Sequence, residues 1–352
     1  MQVNQQALDA VVGRLFGDLS AGYGGVMVSI GHRLGLYKVM ANAGPLSSAE
    51  VARRAGCAER YVREWLNSQV AGGYVDYHAR SGTYELTPEQ AMVLAEETSA
   101  LFMPNGWQVV ASMWADEDKA VEAFRTGKGV SWGEHDERLF CGVAAFFRNC
   151  YRSSLVTEWL PALDGVIEKL RSGATVADVG CGHGHSTVLM AQAFPNSRFW
   201  GFDVHEGSVK AARRIAAEAG VTDRVRFEVA KADAYPGHDY DLICFFDCLH
   251  DMGWPVAAVE HAGRTLARDG TVLLVEPFAG ERVEDNVNPV GRLYYAASAT
   301  MCCAHAISEG GTHVLGAQAG EKRLADVFRQ AGFHRLRRAA ETPFNLIFEA
   351  RR

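Results

Sequence analysis

The chain has 352 residues, 48% of them hydrophobic and 22% charged, which predicts a globular protein of roughly two domains. Its formal net charge of −7 argues against a broad nucleic-acid-binding surface, and its eight cysteines, none in a C-x-x-C pair, argue against a zinc framework or a disulfide scaffold. We expect a cytoplasmic protein without a membrane segment, because the N-terminus lacks a signal-peptide pattern and no apolar run approaches the ~20 residues that span a bilayer.

The first predicted elements are two apolar helices. Residues 8–19 place leucine, valine and phenylalanine on one helical stripe, and residues 26–40 form a second helix after a break predicted at the glycine-rich residues 22–25. Both helices are more apolar than a solvent-exposed helix should be. We therefore expect the chain to form a homodimer through this N-terminal region.

The next segment predicts a winged-helix module. Ser47 and Glu50 form the signature of a capping box, a second helix follows, and residues 74–77 and 83–87 form a hairpin. Between residues 47 and 88, five basic residues are balanced by five acidic residues, so the module has no net charge. Because phosphate contacts dominate nucleic-acid affinity, this balance favours dimerisation and packing over DNA binding.

Residues 91–171 predict a largely helical stretch that is rich in aromatic side chains. Most of these side chains should be core, but some should wall a pocket for a flat or lipophilic molecule. An insertion at residues 280–316, with a predicted helix at 290–305, should complete that pocket. The residues that we assign to it are Trp107, Phe146, Phe147, Tyr151, Tyr294, Met301 and His305.

From residue 175 onward, predicted strands and helices alternate, which indicates a doubly wound sheet of seven mostly parallel strands. In such sheets, ligands bind beyond the carboxyl ends of the strands. We therefore predict three segments along the chain. They are an N-terminal dimerisation segment (1–90), a helical linker that contributes to the pocket (91–171) and a cofactor-binding α/β domain (172–352).

The loop after the first strand of this sheet carries alternate glycines in a D-x-G-x-G-x-G pattern over residues 178–184, and Ser186 or Thr187 is expected to open the helix that follows. A dinucleotide site needs G-x-G-x-x-G, which would place its third glycine at His185. Asp178 would also repel a pyrophosphate and suits a cationic ligand. Both observations argue against a nicotinamide cofactor.

The loop resembles motif I of the class I S-adenosylmethionine-dependent methyltransferases. Asp203 ends the next strand 19 residues after Gly184, where this topology places a carboxylate for the ribose hydroxyls. The resemblance implies S-adenosyl-L-methionine as cofactor, S-adenosyl-L-homocysteine as product and no metal. The residues expected at the cofactor are Asp178, Gly180, Cys181, Gly182, His183, Gly184, Thr187, Asp203, Val204, Ala232, Asp233, Ala234, Phe246, Asp247 and Cys248.

A Cys-Leu-His-Asp motif follows the fourth strand at residues 248–251, and Glu276 ends the fifth strand. This arrangement is similar to the plant-type O-methyltransferases, which also carry an N-terminal winged helix that dimerises. The resemblance implies that His250 is the general base, that Glu276 orients it and that Asp251 belongs to the same catalytic group. In its order and length, the whole chain looks more like the bacterial, especially actinobacterial, winged-helix methyltransferases.

Two functions remain open from the sequence. The first is methyl transfer from S-adenosylmethionine to a small aromatic or lipophilic acceptor by in-line displacement, with O-methylation favoured. A hydroxyl acceptor benefits from a base, and histidine, with a reference pKa of about 6.5, can serve at neutral pH. The alternative is a cofactor-binding transcriptional regulator that uses the winged helix on DNA; the zero net charge of the module favours the enzyme.

Overall fold

The computed structural model describes residues 3–352. The chain forms two compact units, one comprising the residues up to Ala111 together with Cys141–Asn149, and the other comprising Ser112–Phe140 together with Cys150–Arg352. The division into three segments at residues 90 and 171 remains a prediction.

The first unit begins with one long helix, α1 (Gln5–Arg33), where the sequence predicted two helices with a break between them. The predicted break was wrong, because the glycines of residues 22–25 keep helical backbone angles. A Cβ on Gly25 would lie 1.9 Å from Cζ3 of the Trp107 ring. Gly25 therefore allows an aromatic ring to pack directly against the helix backbone, and it does not reverse the chain.

The winged-helix module is confirmed. Its capping box is present, since the Ser47 hydroxyl accepts from the Glu50 backbone N–H at 3.3 Å and the Glu50 carboxylate accepts from the Ser47 backbone N–H at 2.8 Å. Apolar side chains such as Val51, Val62 and Leu66 form its buried core. The elements are α2 (Leu36–Met40), α3 (Ser48–Ala55), α4 (Glu59–Ala71) and the antiparallel strands β1 (Asp76–His78) and β2 (Thr83–Glu85).

Helices dominate the stretch between the winged helix and the α/β domain, as predicted. A 3₁₀ turn, Trp132–Glu134, precedes α8, and a π-helical turn, Tyr151–Trp159, follows it. The helices of this stretch are α5 (Pro88–Leu94), α6 (Gly106–Ala115), α7 (Glu117–Thr126), α8 (Arg138–Cys150) and α9 (Val166–Ser172).

The second unit is built on a seven-stranded sheet with the order β5-β4-β3-β6-β7-β9-β8, in which β9 pairs antiparallel with both β7 and β8 and all other pairings are parallel. This confirms the predicted fold class. The elements are β3 (Thr175–Val179), α10 (His185–Ala193), β4 (Arg198–Asp203), α11 (Glu206–Glu218), β5 (Val225–Val229), β6 (Tyr240–Phe246), α12 (Pro255–Thr265), β7 (Leu266–Pro277), α13 (Pro289–Ala297), α14 (Cys303–Ser308), α15 (Gly320–Gln330), β8 (Arg335–Glu341) and β9 (Asn345–Arg351).

The order of the strands reverses at β3, which pairs in parallel with β4 on one side and with β6 on the other. The loops after β3 and β6 therefore diverge and open a crevice at the carboxyl end of the sheet. The central strands are almost continuously buried, so this edge of the sheet is a rigid support for polar side chains.

Candidate cofactor-binding and active site

The glycine loop after β3 needs its glycines for two physical reasons. Gly180, Gly182 and Gly184 have φ values of 73°, 51° and 73°, in the left-handed region that glycine adopts without strain. A Cβ on Gly180 would lie 2.7 Å from the Cys248 sulfur, and one on Gly184 would lie 2.5 Å from the Phe227 ring. The loop is therefore held close to neighbouring elements, with backbone rather than side chains facing the crevice at Gly182.

Asp178 is fully buried beneath this loop. One of its oxygens, Oδ2, accepts hydrogen bonds from the hydroxyls of Ser186 at 2.7 Å and Thr187 at 2.5 Å. The prediction that one of these hydroxyl residues opens α10 was wrong, because Gly184 is the N-cap and both hydroxyls are directed to the aspartate. Its other oxygen, Oδ1, is buried and has no hydrogen-bond partner within residues 3–352. Burial raises the pKa of Asp178 to about 6.

Asp203, at the end of β4, is positioned by backbone N–H groups. Its Oδ2 accepts from Gly182 at 2.8 Å and its Oδ1 accepts from His205 at 2.9 Å, so the glycine loop and the start of α11 share one carboxylate. Burial raises the pKa of Asp203, and these backbone hydrogen bonds partly offset that effect. Each carboxylate oxygen retains lone-pair capacity for a ligand hydroxyl.

The other predicted cofactor residues differ in their exposure to solvent. His183 and Ala232 are half-buried, whereas Val204, Asp233 and Ala234 are exposed. The thiol of Cys248 donates to the Val179 carbonyl at 3.1 Å, so this side chain links β3 to the turn after β6. Besides Asp178 and Gly184, the buried residues of the predicted cofactor set include Cys181, Thr187, Phe246 and Cys248.

Asp247 occupies a strained position immediately after β6. It is a non-glycine residue with a φ of 49°, and its backbone N–H donates to Val275 at 2.8 Å. Its Oδ1 accepts from the Asn345 amide at 2.6 Å, while its Oδ2 is buried without a hydrogen-bond partner in the described part of the chain. Burial and the nearby Glu276 raise the pKa of Asp247 well above its usual range. Sequence reasoning missed Asn345, which lies almost 100 residues away on β9.

The structure brings together His250 and Glu276, as predicted. The His250 Nδ1 atom lies 2.6 Å from Glu276 Oε2, and Glu276 Oε1 accepts from the Leu249 backbone N–H at 3.0 Å. Cys302, which sequence reasoning did not identify, lies beside the His250 side chain. Burial lowers the pKa of His250, but Glu276 and Cys302 outweigh burial and hold that pKa well above its usual value. The pair is therefore a buried ion pair.

Asp251 follows directly and has a different environment. Its side chain is partly exposed and makes no hydrogen bond with any of residues 3–352. Burial of the carboxyl raises the pKa of Asp251 to about 7; the His250 imidazolium lowers it, and the acids Glu276, Glu309 and Asp203 raise it further. Asp251 is thus a carboxyl that changes charge near neutral pH.

The residues predicted for the acceptor pocket are divided between the two units. Trp107, Phe146 and Phe147 belong to the first unit, where the rings of the two phenylalanines meet edge to face at 5.4 Å. In the second unit, the Tyr294 hydroxyl donates to the Phe344 carbonyl at 2.8 Å and the Tyr151 ring lies 5.4 Å from that of Phe246. The remaining two residues, Met301 and His305, lie in or just after a π-helical turn, Ser298–Cys302, and are buried and half-buried.

Residues 112–140 pack onto the α/β domain beside Asp203, which the sequence did not predict. The Phe140 ring stacks on His205 with centroids 4.6 Å apart, and the Trp132 backbone N–H donates to His305 Nδ1 at 3.2 Å. The Val130 backbone N–H donates to the Ala304 carbonyl at 3.0 Å. This segment therefore covers the side of the sheet edge where β4 ends.

Two further observations bear on the kind of site. Within residues 3–352, no group of three or more histidine, cysteine, aspartate or glutamate side chains is arranged to hold a metal ion. The same range contains no helix whose length and apolar character would allow it to cross a bilayer.

Comparisons with known proteins agree with this geometry. Residues 22–96 match the model of the Rv2258c-like winged HTH domain, and residues 170–332 match that of a methyltransferase domain. The 27-O-demethylrifamycin SV methyltransferase of Amycolatopsis mediterranei is 34% identical over 131 residues, which are 35% of this chain and 48% of that protein. The chain thus spans about half the length of the curated relatives it matches.

Solved structures show the same fold along the whole chain. Human N-acetylserotonin methyltransferase in complex with S-adenosylmethionine superposes with a TM-score of 0.69 at 19% identity, covering 97% of each chain. The structure of PigF with S-adenosylhomocysteine gives a TM-score of 0.71 at 17% identity, covering 100% of both chains. The chain therefore carries one segment that matches the Rv2258c-like winged HTH domain and one that matches a methyltransferase domain, and it shares the fold of solved methyltransferases.

Proposed function

We propose that the protein transfers a methyl group from S-adenosylmethionine to an oxygen atom of a small aromatic or lipophilic acceptor. The observation that carries this proposal is the pair of buried carboxylate oxygens, Asp178 Oδ1 and Asp247 Oδ2, that lack hydrogen-bond partners among the described residues at the edge of a methyltransferase sheet. Unpaired buried anionic oxygens suit a ligand that carries positive charge. The match to the 27-O-demethylrifamycin SV methyltransferase supports oxygen as the target.

The residues present fit this cofactor. The glycine loop offers backbone at Gly182, the buried acids offer a negative field to an ammonium and a sulfonium group, and Asp203 offers lone pairs to the ribose hydroxyls. When bound, the cofactor supplies a methyl group already activated by a positively charged sulfur. The contribution of the protein is therefore mainly to position the acceptor, to exclude water and to receive a proton.

We assign the receipt of that proton to Asp251. The hydrogen bond of His250 to Glu276 and the neighbouring Cys302 stabilise its protonated form, and a cationic imidazole cannot accept another proton. The Asp251 carboxyl makes no competing hydrogen bond within residues 3–352, and its pKa of about 7 matches the working range of a general base. The role of His250 is then to hold the turn after β6 and to place Asp251.

The regulatory alternative is disfavoured by how the arginines of the winged helix are used. On α4, Arg63 binds both carboxylate oxygens of Glu59 at 2.7 and 2.8 Å, and Arg60 pairs with Glu64. These guanidinium groups are satisfied by acids of their own helix. An approaching DNA phosphate would have to displace those acids, which themselves repel it.

We further propose a homodimer through α1. The helix exposes a long row of apolar side chains, including Val11, Leu15, Phe16 and Leu19, each between 58% and 72% exposed. A monomer in water rarely presents an apolar surface of this extent. A second copy of the chain, related by a two-fold axis, is the simplest partner for a self-complementary helix.

Calorimetry and methyl transfer together test the proposed function. The full-length protein should bind S-adenosylhomocysteine, and it should transfer label from methyl-labelled S-adenosylmethionine to one or more phenols in a library of aromatic metabolites. A protein that binds NAD but not S-adenosylhomocysteine would contradict the proposal. A shift of genomic DNA fragments in a gel at physiological salt would favour the regulator instead.

A further inference from the structure

A second histidine–carboxylate pair lies in the second unit, and the proposed function does not use it. His135 Nδ1 lies 3.0 Å from Asp116 Oδ2, and the two side chains are only 3% and 8% exposed. Both residues belong to the segment 112–140 that packs beside Asp203. Sequence reasoning did not identify either residue as functional.

The contacts of Asp116 determine which nitrogen of His135 carries the proton. Lys119 Nζ donates to Asp116 Oδ1 at 2.7 Å, and the Asp136 backbone N–H donates to Oδ2 at 2.9 Å. Burial raises the pKa of Asp116, but these donors and His135 outweigh burial and lower it overall. Because Asp116 is an ionised acceptor, Nδ1 of His135 must donate to it. In the neutral ring, Nε2 then carries the lone pair and can only accept a hydrogen bond.

That second nitrogen is buried and unsatisfied. His135 Nε2 is shielded from solvent and has no hydrogen-bond partner within residues 3–352. A small cavity adjoins the pair, with a volume of about 10 Å³, and its walls include Val130, Thr300 and Met301. This volume is at the lower limit for one water-sized group. The cavity therefore admits a hydroxyl but not a ring.

One π-helical turn carries neighbours of both histidine–carboxylate pairs. Cys302, which lies beside His250, and Met301, which lines the cavity beside His135, are consecutive residues of the π-helical turn Ser298–Cys302. π-Helical turns are frequent at functional sites. None of the described residues hydrogen-bonds to His135 Nε2, and His135 is one of the residues that line the cavity.

We propose that His135 Nε2 accepts a hydrogen bond from a hydroxyl group of the methyl acceptor, which makes the Asp116–His135 pair a specificity-determining site for hydroxylated acceptors. This inference rests on the proposed methyltransferase function. The O–H group enters the small cavity while the carbon skeleton remains outside it. A methyl ether or a carbonyl has no proton to donate and would leave Nε2 unsatisfied, so a site of this kind discriminates strongly against such analogues.

Nitrogen NMR tests the inference directly in the full-length protein saturated with S-adenosylhomocysteine. With ¹⁵N-labelled histidine, titration with phenol should shift the His135 Nε2 resonance saturably, and titration with anisole, which cannot donate, should leave it unchanged. Loss of one set of signals in His135→Gln assigns the resonance. His238, an exposed histidine whose Nδ1 lies 2.8 Å from Asp239, is the matched internal control and should respond to neither compound.

The wild-type titration decides the matter even if the variant folds poorly. Equal responses of Nε2 to phenol and anisole, or no response to either, would show that the cavity holds water only and would overturn the inference. The same titration is repeated without S-adenosylhomocysteine. If the protein does not bind S-adenosylhomocysteine but still shows a phenol-specific shift, that result would contradict the proposed function and leave the hydroxyl site standing. Normal S-adenosylhomocysteine binding without that shift would contradict the hydroxyl site alone.

Discussion

Asp178 shows how a buried environment prepares a carboxylate for a positively charged ligand. Two hydroxyls satisfy one of its oxygens, and the other is left buried without a partner among residues 3–352. The ionised form is poorly solvated there, which is why its pKa is raised to about 6. The free protein therefore carries an unfavourable charge that a bound cation would stabilise, an arrangement in which stability is lost for the sake of function.

Replacing Asp178 with asparagine should stabilise the free protein and weaken cofactor binding. The folded-state pKa of about 6 lies above the ordinary aspartate pKa of 3.8 in the unfolded chain, so the ionised aspartate destabilises the native state increasingly as pH rises from 3.8 through 6. Asp178→Asn should gain about 3 kcal/mol at pH 8 and about half of that at pH 5. Urea denaturation at both pH values measures this, and calorimetry should show weaker S-adenosylmethionine binding. A stability difference that does not grow with pH would refute the argument.

Cofactor binding should depend on pH through the same acids. A cation favours the ionised forms of Asp178 and Asp251, whose pKa values are about 6 and 7, so binding should release protons and affinity for S-adenosylmethionine should rise between about pH 5.5 and 8. S-Adenosylhomocysteine lacks the sulfonium charge and should show a flatter profile. Calorimetry in buffers of different ionisation enthalpy counts the protons.

The matched variants for that experiment are two aspartates in opposite environments. Asp251→Asn should flatten the upper part of the S-adenosylmethionine profile, because it removes the group that titrates near pH 7. Asp269→Asn, at a residue on the exposed part of β7 paired with Lys169, should leave the profile unchanged. Equal profiles for both cofactor forms in the wild-type protein would contradict the assignment of the acids to the sulfonium.

At the scale of elements, the site is held by links between β6, β7 and the chain after α13. The turn after β6 is tied to β7 through His250 and Leu249, both of which bind Glu276, and to the π-helical turn through Cys302. Glu276 and Cys302 are both distant in sequence from the turn that they contact. One buried carboxylate, that of Glu276, therefore holds the geometry of the turn after β6.

Glu276→Gln should therefore destabilise the protein strongly. It leaves the buried His250 without its anion, and removal of one partner from a buried ion pair typically costs about 3–5 kcal/mol. The raised pKa of His250 should fall, which histidine NMR would report. Glu284→Gln, at an exposed residue paired with Arg282, is the control and should change stability by less than about 0.5 kcal/mol. Near-wild-type stability of Glu276→Gln would show that the pair is not ionised.

At the scale of the whole molecule, α1 has an apolar surface that a single chain leaves exposed to solvent. Its 29 residues include a row of exposed leucine, valine and phenylalanine side chains, while its buried residues are few and lie in its C-terminal half. The helix has too few polar positions to be stable as a solvent-exposed projection. Its composition is explained if a second chain covers it.

Charges on that face should dissociate the proposed dimer. Light scattering at micromolar concentration should give twice the chain mass for the wild-type protein and one chain mass for the Leu15→Glu, Phe16→Glu double variant, because two carboxylates would be buried at the interface. Val283→Glu, at a 68% exposed apolar residue elsewhere, should leave the mass unchanged. A monomeric wild-type protein, or a dimer unaffected by the double variant, would contradict the proposal.

The sequence by itself determined the elements whose signals are local. Buried parallel strands are continuous β-branched and aromatic runs, so the alternation of strands and helices from residue 175 onward was predicted, with Asp178, Asp203 and Glu276 each close to the end of a strand. The resemblance to the plant-type O-methyltransferases implied the pairing of His250 with Glu276, and the two side chains meet because β6 and β7 are neighbouring strands.

Only the tertiary structure decided features that depend on contacts between distant residues. A glycine-rich stretch such as residues 22–25 is typical of a break between helices. In the fold α1 continues through it, and the Trp107 ring packs against Gly25. Ser186 and Thr187 are residue types that often cap helices, yet in the fold their hydroxyls donate to the buried Asp178 and Gly184 is the N-cap. The contacts of Cys302 with His250 and of His135 with Asp116 carry no local pattern, because each joins elements that only the folded chain brings together.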